Sequence, residues 1–211
     1  MMVRFLPVFF LVLILGGCNG NSEKSESSDE DSSAVLDDVV ATYQVDPGLS
    51  VVAWEGKVIG VYGHHGVISI QDGSLTTKGD EITGGMVTID MKSIIPLDSS
   101  SYQNKDGSRI TDLQTHLMMS DFFLAKEYPT ASFVIKHQEN NRLVGDLTIR
   151  GITHEETVVL SYLEVLPEGL AGDGKLIFDR QKFGINWKHP VADYILSDDI
   201  EVELKIIARK K

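Results

Sequence analysis

The stretch from Leu113 to Phe133 differs in pattern from the rest of the chain, and it reads Leu-Gln-Thr-His-Leu-Met-Met-Ser-Asp-Phe-Phe-Leu-Ala-Lys-Glu-Tyr-Pro-Thr-Ala-Ser-Phe. Leu113, Leu117 and Met118 recur at helical spacing. The adjacent pair Phe122–Phe123 breaks that period, and Pro129 disfavours helical geometry in the residue before it. The sequence therefore predicts a short helix, a bulky apolar plug and the start of a strand.

The segments on both sides of this stretch alternate with a period of two, which is the pattern of half-buried strands. The clearest runs from Ile200 to Ala208, where apolar residues alternate with charged ones, and Asn140-Asn141 marks a hairpin turn earlier in the chain. About eight such strands without the spacing of βαβ units predict an all-β fold, either an antiparallel barrel or a sandwich. We expect the short helix near residues 113–124, with its plug, to cover one end. The alternative is a connecting helix that only packs against the sheet.

Length and charge limit the possible functions. The 211 residues, of which 42% are hydrophobic, are enough for one domain with a substantial core. The net charge of −12 argues against nucleic-acid binding, which needs clustered Lys and Arg. Residues 19–40 contribute −6 of that charge, so the part that follows is only moderately acidic. The single cysteine, Cys18, allows no intrachain disulfide and no Cys-based zinc site.

The N-terminal region resembles an export and anchoring signal. Residues 1–17 carry one charge and an apolar run, as in a secretory signal peptide. Leu15–Cys18 resembles the bacterial lipobox, in which the cysteine receives lipid. Residues 18–41 are acidic and polar, which predicts a lipidated, disordered tether before a barrel domain at residues 42–211. We therefore expect secretion across the inner membrane and a lipid anchor, with the outer membrane, facing the periplasm or the cell surface, as the expected location.

Residues with catalytic chemistry are scattered. His64 and His65 are adjacent, and adjacent strand residues point to opposite faces, so the two cannot share a metal ion in regular β geometry. The sequence has no Gly-x-Ser-x-Gly motif and no His-Glu-x-x-His motif. We expect no enzymatic activity, no catalytic residue, no metal and no cofactor. A metal-dependent or acid–base enzyme that uses His64 or His65 remains an alternative.

Large aromatic residues fall mostly on the faces expected to point inward. They are Trp54, Phe122, Phe123, Phe133, Phe178, Phe183 and Trp187. Plain core packing is one explanation, and a structural surface protein with a filled barrel would follow from it. The other explanation is an eight-stranded barrel whose interior is wide enough for one elongated apolar ligand.

A set of short blocks is spread over residues 43–208: Tyr43–Pro47, Gly63–Gly66, Gly84–Met91, Leu113–Phe123, Tyr128–Phe133, Gly145–Thr153, Asp179–Gly184 and Asp198–Leu204. Together these blocks resemble the YceI-like family of lipocalin-like polyisoprenoid-binding proteins. The resemblance implies an extended eight-stranded antiparallel barrel whose pocket holds an isoprenoid tail, as in a polyprenyl phosphate or a quinone. The family's motifs are architectural and carry over no catalytic residue.

Two sets of residues follow as candidates for such a ligand. The expected wall of the hydrophobic pocket comprises Trp54, Val58, Leu117, Phe122, Phe123, Phe133, Leu147, Phe178, Phe183 and Trp187. A phosphate head group would need local positive charge, for which Arg150, Arg180 and Lys182 are the candidates, whereas a quinone-like head would need none. The expected function is non-enzymatic binding of a long-chain isoprenoid or similar amphiphile at the cell envelope.

Overall fold

A computed structural model describes residues 39–98 and 109–211 of the chain. The predicted signal peptide, Cys18 and most of the predicted tether lie outside the described residues. Within these ranges the chain forms nine strands and one α-helix, in the order β1 Val40–Val45, β2 Val51–Val58, β3 Tyr62–Lys78, β4 Glu81–Pro96, α1 Ile110–Met118, β5 Thr130–Glu139, β6 Arg142–Ile149, β7 Ile152–Leu166, β8 Gly169–Asp179 and β9 Leu196–Lys210. A short 3₁₀ helix, Arg180–Phe183, follows β8.

The strands close into one antiparallel barrel. From β3 to β8 each strand pairs with the next one in the chain, and the ring is completed by β8–β9, β9–β2 and β2–β3 pairings. The ninth strand, β1, lies in line with β2 between β3 and β9, so the two share one position in the wall. The prediction of a closed eight-stranded barrel is confirmed, with one extra strand that arises because this wall strand is interrupted.

The interruption lies at Asp46–Ser50. Asp46 accepts a hydrogen bond from the backbone N–H of Gly48 at 3.0 Å, and Pro47 has no N–H to donate to a strand neighbour. The hydroxyl of Ser50 accepts from the backbone N–H of Ile207 at 3.0 Å and donates to its carbonyl at 3.2 Å. The backbone N–H of Asp46 also donates to this carbonyl, at 2.8 Å, so the Ser50 side chain adds to the link between the interrupted strand and β9.

The two ends of the barrel differ. The connections at residues 79–80, 140–141 and 167–168 are two-residue turns, and we call this the hairpin end. The opposite end, which we call the helical end, carries the β2–β3 turn, α1 and the residues between α1 and β5, the β6–β7 turn and residues 180–195. At the β6–β7 turn, Arg150 and Gly151 both have positive φ (53° and 71°), which matches the right-handed twist of a tight hairpin.

The helix is shorter than the sequence predicted. It begins at Ile110, where the backbone N–H of Arg109 donates to the Asp112 carboxylate at 2.8 Å, and it ends at Met118. Residues 120–123 form turns instead of continuing toward residue 124, where Leu124 has φ 49°. Consecutive helical side chains point about 100° apart. Leaving the helix lets both Phe122 and Phe123 face the barrel interior.

Several inward-facing residues are less buried than a filled core would make them. On β6, Leu143, Leu147 and Ile149 are buried, as the alternation predicts. On β9, by contrast, Val202 and Leu204 pack against the core but remain half-buried. Their residual exposure is to space inside the barrel.

Candidate ligand-binding site

The barrel encloses an elongated cavity of about 560 Å³, which is within the range of about 300–1,000 Å³ that small-molecule sites occupy. Side chains from β2 to β9 and from α1 form its wall. Most of the wall is aliphatic or aromatic. The cavity can therefore exclude water from an apolar chain over most of its length.

Nine of the ten residues expected at the pocket contribute to this wall. They are Trp54, Val58, Leu117, Phe122, Phe123, Phe133, Leu147, Phe178 and Trp187. The tenth, Phe183, is not part of it. Its side chain is 0% exposed and packs edge-on against Phe178, with ring centroids 5.5 Å apart. Phe183 belongs to the 3₁₀ helix, so the period of the strands that guided the expectation does not apply to it.

An aromatic cluster closes much of the helical end of the cavity. Phe122 lies 5.6 Å from Trp187 and 6.1 Å from Phe123 between ring centroids. The imidazole of His116 contacts both Phe122 and Trp187, at 5.0 and 5.1 Å. The apolar plug predicted from the sequence thus includes a helix histidine and a tryptophan from the segment before β9.

The polar part of the wall lies mainly at the helical end. Its side chains there are Tyr62, His64, Arg109, Asp112, His116 and His189. Tyr62 belongs to the wall and is 37% exposed, so the cavity reaches the protein surface beside it. We call the opening bordered by Tyr62, His64, His116 and His189 the mouth.

Sequence reasoning missed Tyr62 and His189 as site residues. Tyr62 pairs directly with Val58, and His64 pairs with Gly56, across the β2–β3 hairpin. Because directly paired residues share a face, the expected inward direction of Val58 predicts that Tyr62 points inward as well. That signal was available. No periodic pattern marks His189, which follows the 3₁₀ helix in an irregular segment.

Hydrogen bonds position the mouth residues. The Tyr62 hydroxyl and Nε2 of His189 are 3.2 Å apart, and Nδ1 of His64 lies 2.7 Å from the carboxylate of the buried Asp98. Burial raises the pKa of the Tyr62 phenol above its ordinary value. Tyr62 therefore keeps its proton at neutral pH and can donate a hydrogen bond.

The adjacent histidines face different surroundings. His64 is in the cavity wall, whereas His65 is exposed and is not in the wall. Among residues 39–98 and 109–211, no group of three His, Cys, Asp or Glu side chains is arranged to hold a metal ion.

The three candidate head-group cations are all outside the cavity wall and engaged elsewhere. Arg150 donates to the carbonyls of Phe122 and Gly184, at 2.7 and 2.8 Å. Lys182 lies 3.5 Å from a carboxylate oxygen of Glu156. These contacts hold the plug and the neighbouring turn in place.

Arg180 is the most constrained of the three. It is 3% exposed, and its guanidinium donates to the carbonyls of Ser197, Ile185 and Trp187 and to the Asp198 carboxylate. Burial lowers the pKa of this guanidinium from its ordinary value. Arg180 thus fixes the segment that carries Trp187 into the cavity wall.

No helix in the described part of the chain is both long and apolar enough to cross a membrane.

Comparisons with known proteins agree with this architecture. The family model described as the YceI-like domain matches residues 43–208. A UPF0312 protein of Staphylococcus aureus is 33% identical over 119 residues, which make up 53% of this chain and 66% of that protein. A UPF0312 protein of Staphylococcus epidermidis is 37% identical over 82 residues, which cover 36% of this chain and 48% of that protein. The chain thus spans slightly less than two thirds of the first relative's length.

Two solved structures share the fold. Burkholderia cenocepacia BcnA superposes with a TM-score of 0.54 at 20% identity and covers 77% of this chain and 98% of its own. A domain from Saccharophagus degradans superposes with a TM-score of 0.53 at 10% identity and covers 81% of this chain and 99% of its own; it is described as a polyisoprenoid binding domain implicated in plant cell wall breakdown. At these identities the likeness concerns the fold alone.

Proposed function

This chain belongs to the YceI-like domain family, and from that premise we propose that its barrel binds a long-chain isoprenoid or a similar amphiphilic lipid without catalysing a reaction. The observation that carries the proposal is the apolar cavity of about 560 Å³ inside the barrel. A barrel that served only as a structural support would gain stability by filling this space, since empty apolar volume costs packing energy.

The distribution of polarity along the cavity supports an amphiphile with one apolar tail. The tail lies among the aliphatic and aromatic residues of the wall, and the head group lies at the mouth beside Tyr62, His64 and His189. Ordering of the ligand offsets most of the free energy released by burying the tail. The barrel needs only to bind the lipid more strongly than the bilayer does. The description of the Saccharophagus degradans domain as polyisoprenoid-binding supports an isoprenoid tail.

The mouth favours a quinone-like head over a phosphate. Arg150, Arg180 and Lys182 are held away from the wall by their own partners. Arg109 belongs to the wall, but Asp112 accompanies it there, so their formal charges cancel. Tyrosine and histidine side chains can donate hydrogen bonds to the carbonyl oxygens of an uncharged ring. A diphosphate would instead require cations to offset the loss of its hydration.

We also propose that the protein works at the cell envelope. The signal-peptide pattern of residues 1–17 and the lipobox-like Leu15–Cys18 support export and lipid attachment at Cys18, with residues 18–41 as a tether. Labelled palmitate should enter the wild-type protein and not a Cys18→Ser variant. Equal labelling of both would contradict the anchor.

A cavity-filling substitution tests the binding proposal. Gly56 lines the cavity, and a Cβ atom added there meets only the tip of the Ile200 side chain, at 3.4 Å. Gly84 is outside the cavity wall, and a Cβ atom there meets one backbone oxygen at 4.0 Å. Gly56→Leu and Gly84→Leu therefore place the same side chain inside and outside the cavity.

The full-length variants should be compared by native mass spectrometry and by mass spectrometry of their organic extracts. We expect one lipid molecule per wild-type chain, retention of this lipid in Gly84→Leu and its loss in Gly56→Leu, with cooperative unfolding in all three proteins. A wild-type chain without lipid, or equal lipid in both variants, would overturn the proposal.

A further inference from the structure

Two loops at the helical end expose apolar side chains beside the mouth. Ile59 and Val61 lie in the β2–β3 turn, and Val191, Tyr194 and Ile195 lie in the segment before β9. Their exposed fractions range from 36% to 62%. The backbone N–H of Ile59 donates to the carbonyl of Ile195 at 2.8 Å, so the two loops adjoin. We call these five residues the apolar rim.

The rim is continuous with the cavity. Tyr62 and His189 belong to the cavity wall, and both rings also contact the ring of Tyr194, at centroid distances of 6.3 and 4.9 Å. An apolar chain leaving the mouth therefore meets the rim before it meets bulk water. Surface apolar residues scattered singly would need no explanation, but a contiguous group at the opening of an apolar cavity does.

The chemistry of the rim fits a lipid bilayer. The exposed aliphatic residues of the rim adjoin a group of tyrosine and histidine rings, and amphipathic rings of this kind are enriched where proteins meet the interface between lipid tails and head groups. The two loops carry one cation, Lys188, and one anion, Asp193, so their formal charges cancel. Five partly exposed side chains also fall short of the roughly 800 Å² per partner that a stable protein interface uses.

We propose that the apolar rim docks on the surface of a lipid bilayer, so that the ligand passes between the membrane and the cavity without crossing water. The identity of the cargo rests on the proposed function, but the docking can be measured without any cargo. Because the loops are neutral and the described domain is acidic, docking relies on apolar contact and needs no anionic lipid.

A tryptophan placed at either end of the barrel tests whether the apolar rim docks on a bilayer. Val61 in the rim is 51% exposed, and Leu166 at the hairpin end is 48% exposed, so either position accepts a larger side chain. Full-length Val61→Trp and Leu166→Trp should be mixed with vesicles of phosphatidylcholine that contain acyl-chain-brominated phosphatidylcholine. Since docked side chains reach about 5–10 Å into the bilayer, quenching of the added tryptophan should be about twofold or more stronger in Val61→Trp. Equal quenching, or none, overturns the proposal.

A second measurement connects docking to transfer. In the double variant Ile59→Ser with Ile195→Ser, uptake of a radiolabelled polyprenol from vesicles should slow roughly tenfold, while uptake from detergent stays unchanged. An unchanged rate from vesicles contradicts the proposal. Failure of the wild type to take up polyprenol from detergent would count against the proposed cargo, and the tryptophan experiment would still decide whether the rim docks.

Discussion

Phe122 and Phe123 are neighbours in the chain that both reach the cavity, whereas Phe183 is fully buried outside it. The difference separates a residue that only supports the fold from residues that line the cavity. Truncating a phenylalanine in a packed core costs about 3–5 kcal/mol, because a new cavity is left behind. A phenylalanine beside space that already exists leaves a smaller new void.

We therefore expect Phe123→Ala to lower the free energy of unfolding by less than Phe183→Ala does, and to reduce the bound lipid. Phe183→Ala should cost about 3–5 kcal/mol while its folded fraction keeps normal lipid content. Urea unfolding of lipid-stripped protein and extraction of folded protein give the two measurements. If Phe123→Ala is as destabilised as Phe183→Ala and its lipid is unchanged, the plug is ordinary core.

Arg180 gives a second prediction at this scale. Four acceptors surround its buried guanidinium, and Arg180→Met should leave the three backbone carbonyls without this donor, while the half-exposed Asp198 keeps its bond from Gln181. Because each buried acceptor left unpaired costs about 1–3 kcal/mol, we expect a loss of about 3–5 kcal/mol. Lys182→Met is the comparison, and it should cost less than Arg180→Met, because Lys182 is half-exposed and its contact with the largely buried Glu156 carboxylate is long, at 3.5 Å. Neither substitution should change the kind of lipid extracted from folded protein. A changed lipid class in either variant would restore these cations as head-group ligands.

At the scale of elements, the strands were predictable because one face of each strand is buried among apolar residues, and the sequence therefore alternates with a period of two. Leu143 and Leu147 on β6 show this directly. The end of α1 and the course of residues 184–195 were not predictable. They depend on contacts with residues distant in sequence, such as the bonds from Arg180 to Ile185 and Trp187, and on the adjacent phenylalanines facing one cavity.

The break between β1 and β2 also depends on a contact between residues distant in sequence, namely Ser50 and Ile207. Ser50→Ala removes the hydroxyl that accepts from the backbone N–H of Ile207 and leaves that N–H unpaired, while the Ile207 carbonyl keeps its hydrogen bond from the backbone N–H of Asp46 at 2.8 Å. We therefore expect this substitution to lower the free energy of unfolding by about 1–3 kcal/mol, with no change in the slope of that free energy against urea concentration. Ser69→Ala is the control, because the Ser69 side chain is outside the cavity wall and only its backbone N–H is bonded to Ser93. Equal stability of both variants would show that Ser50 is dispensable at the break.

At the scale of the whole molecule, the cavity has its mouth at one end and its chain attachment at the other. Val40 pairs with Lys78, so the predicted tether joins the barrel at the hairpin end. The 17 residues of β3, at about 3.3 Å per residue and a tilt near 40°, span about 43 Å along the barrel. About 21 residues separate Cys18 from Val39, and their fully extended reach is about 70–75 Å.

With the proposed anchor at Cys18, a predicted tether of this length would allow the apolar rim to contact the membrane that carries the anchor. Removing residues 22–35 would leave a reach of about 25 Å, which is shorter than the barrel. The Val61→Trp protein should be anchored to vesicles of brominated phosphatidylcholine that are fixed to a surface and kept apart from one another. In this arrangement we expect the deletion of residues 22–35 to abolish the quenching. Replacing the same residues with Gly and Ser of equal length should preserve it, because length and not charge is required. Quenching that survives the deletion would mean that the rim reaches the bilayer by another route and that the acidic segment serves some purpose other than reach.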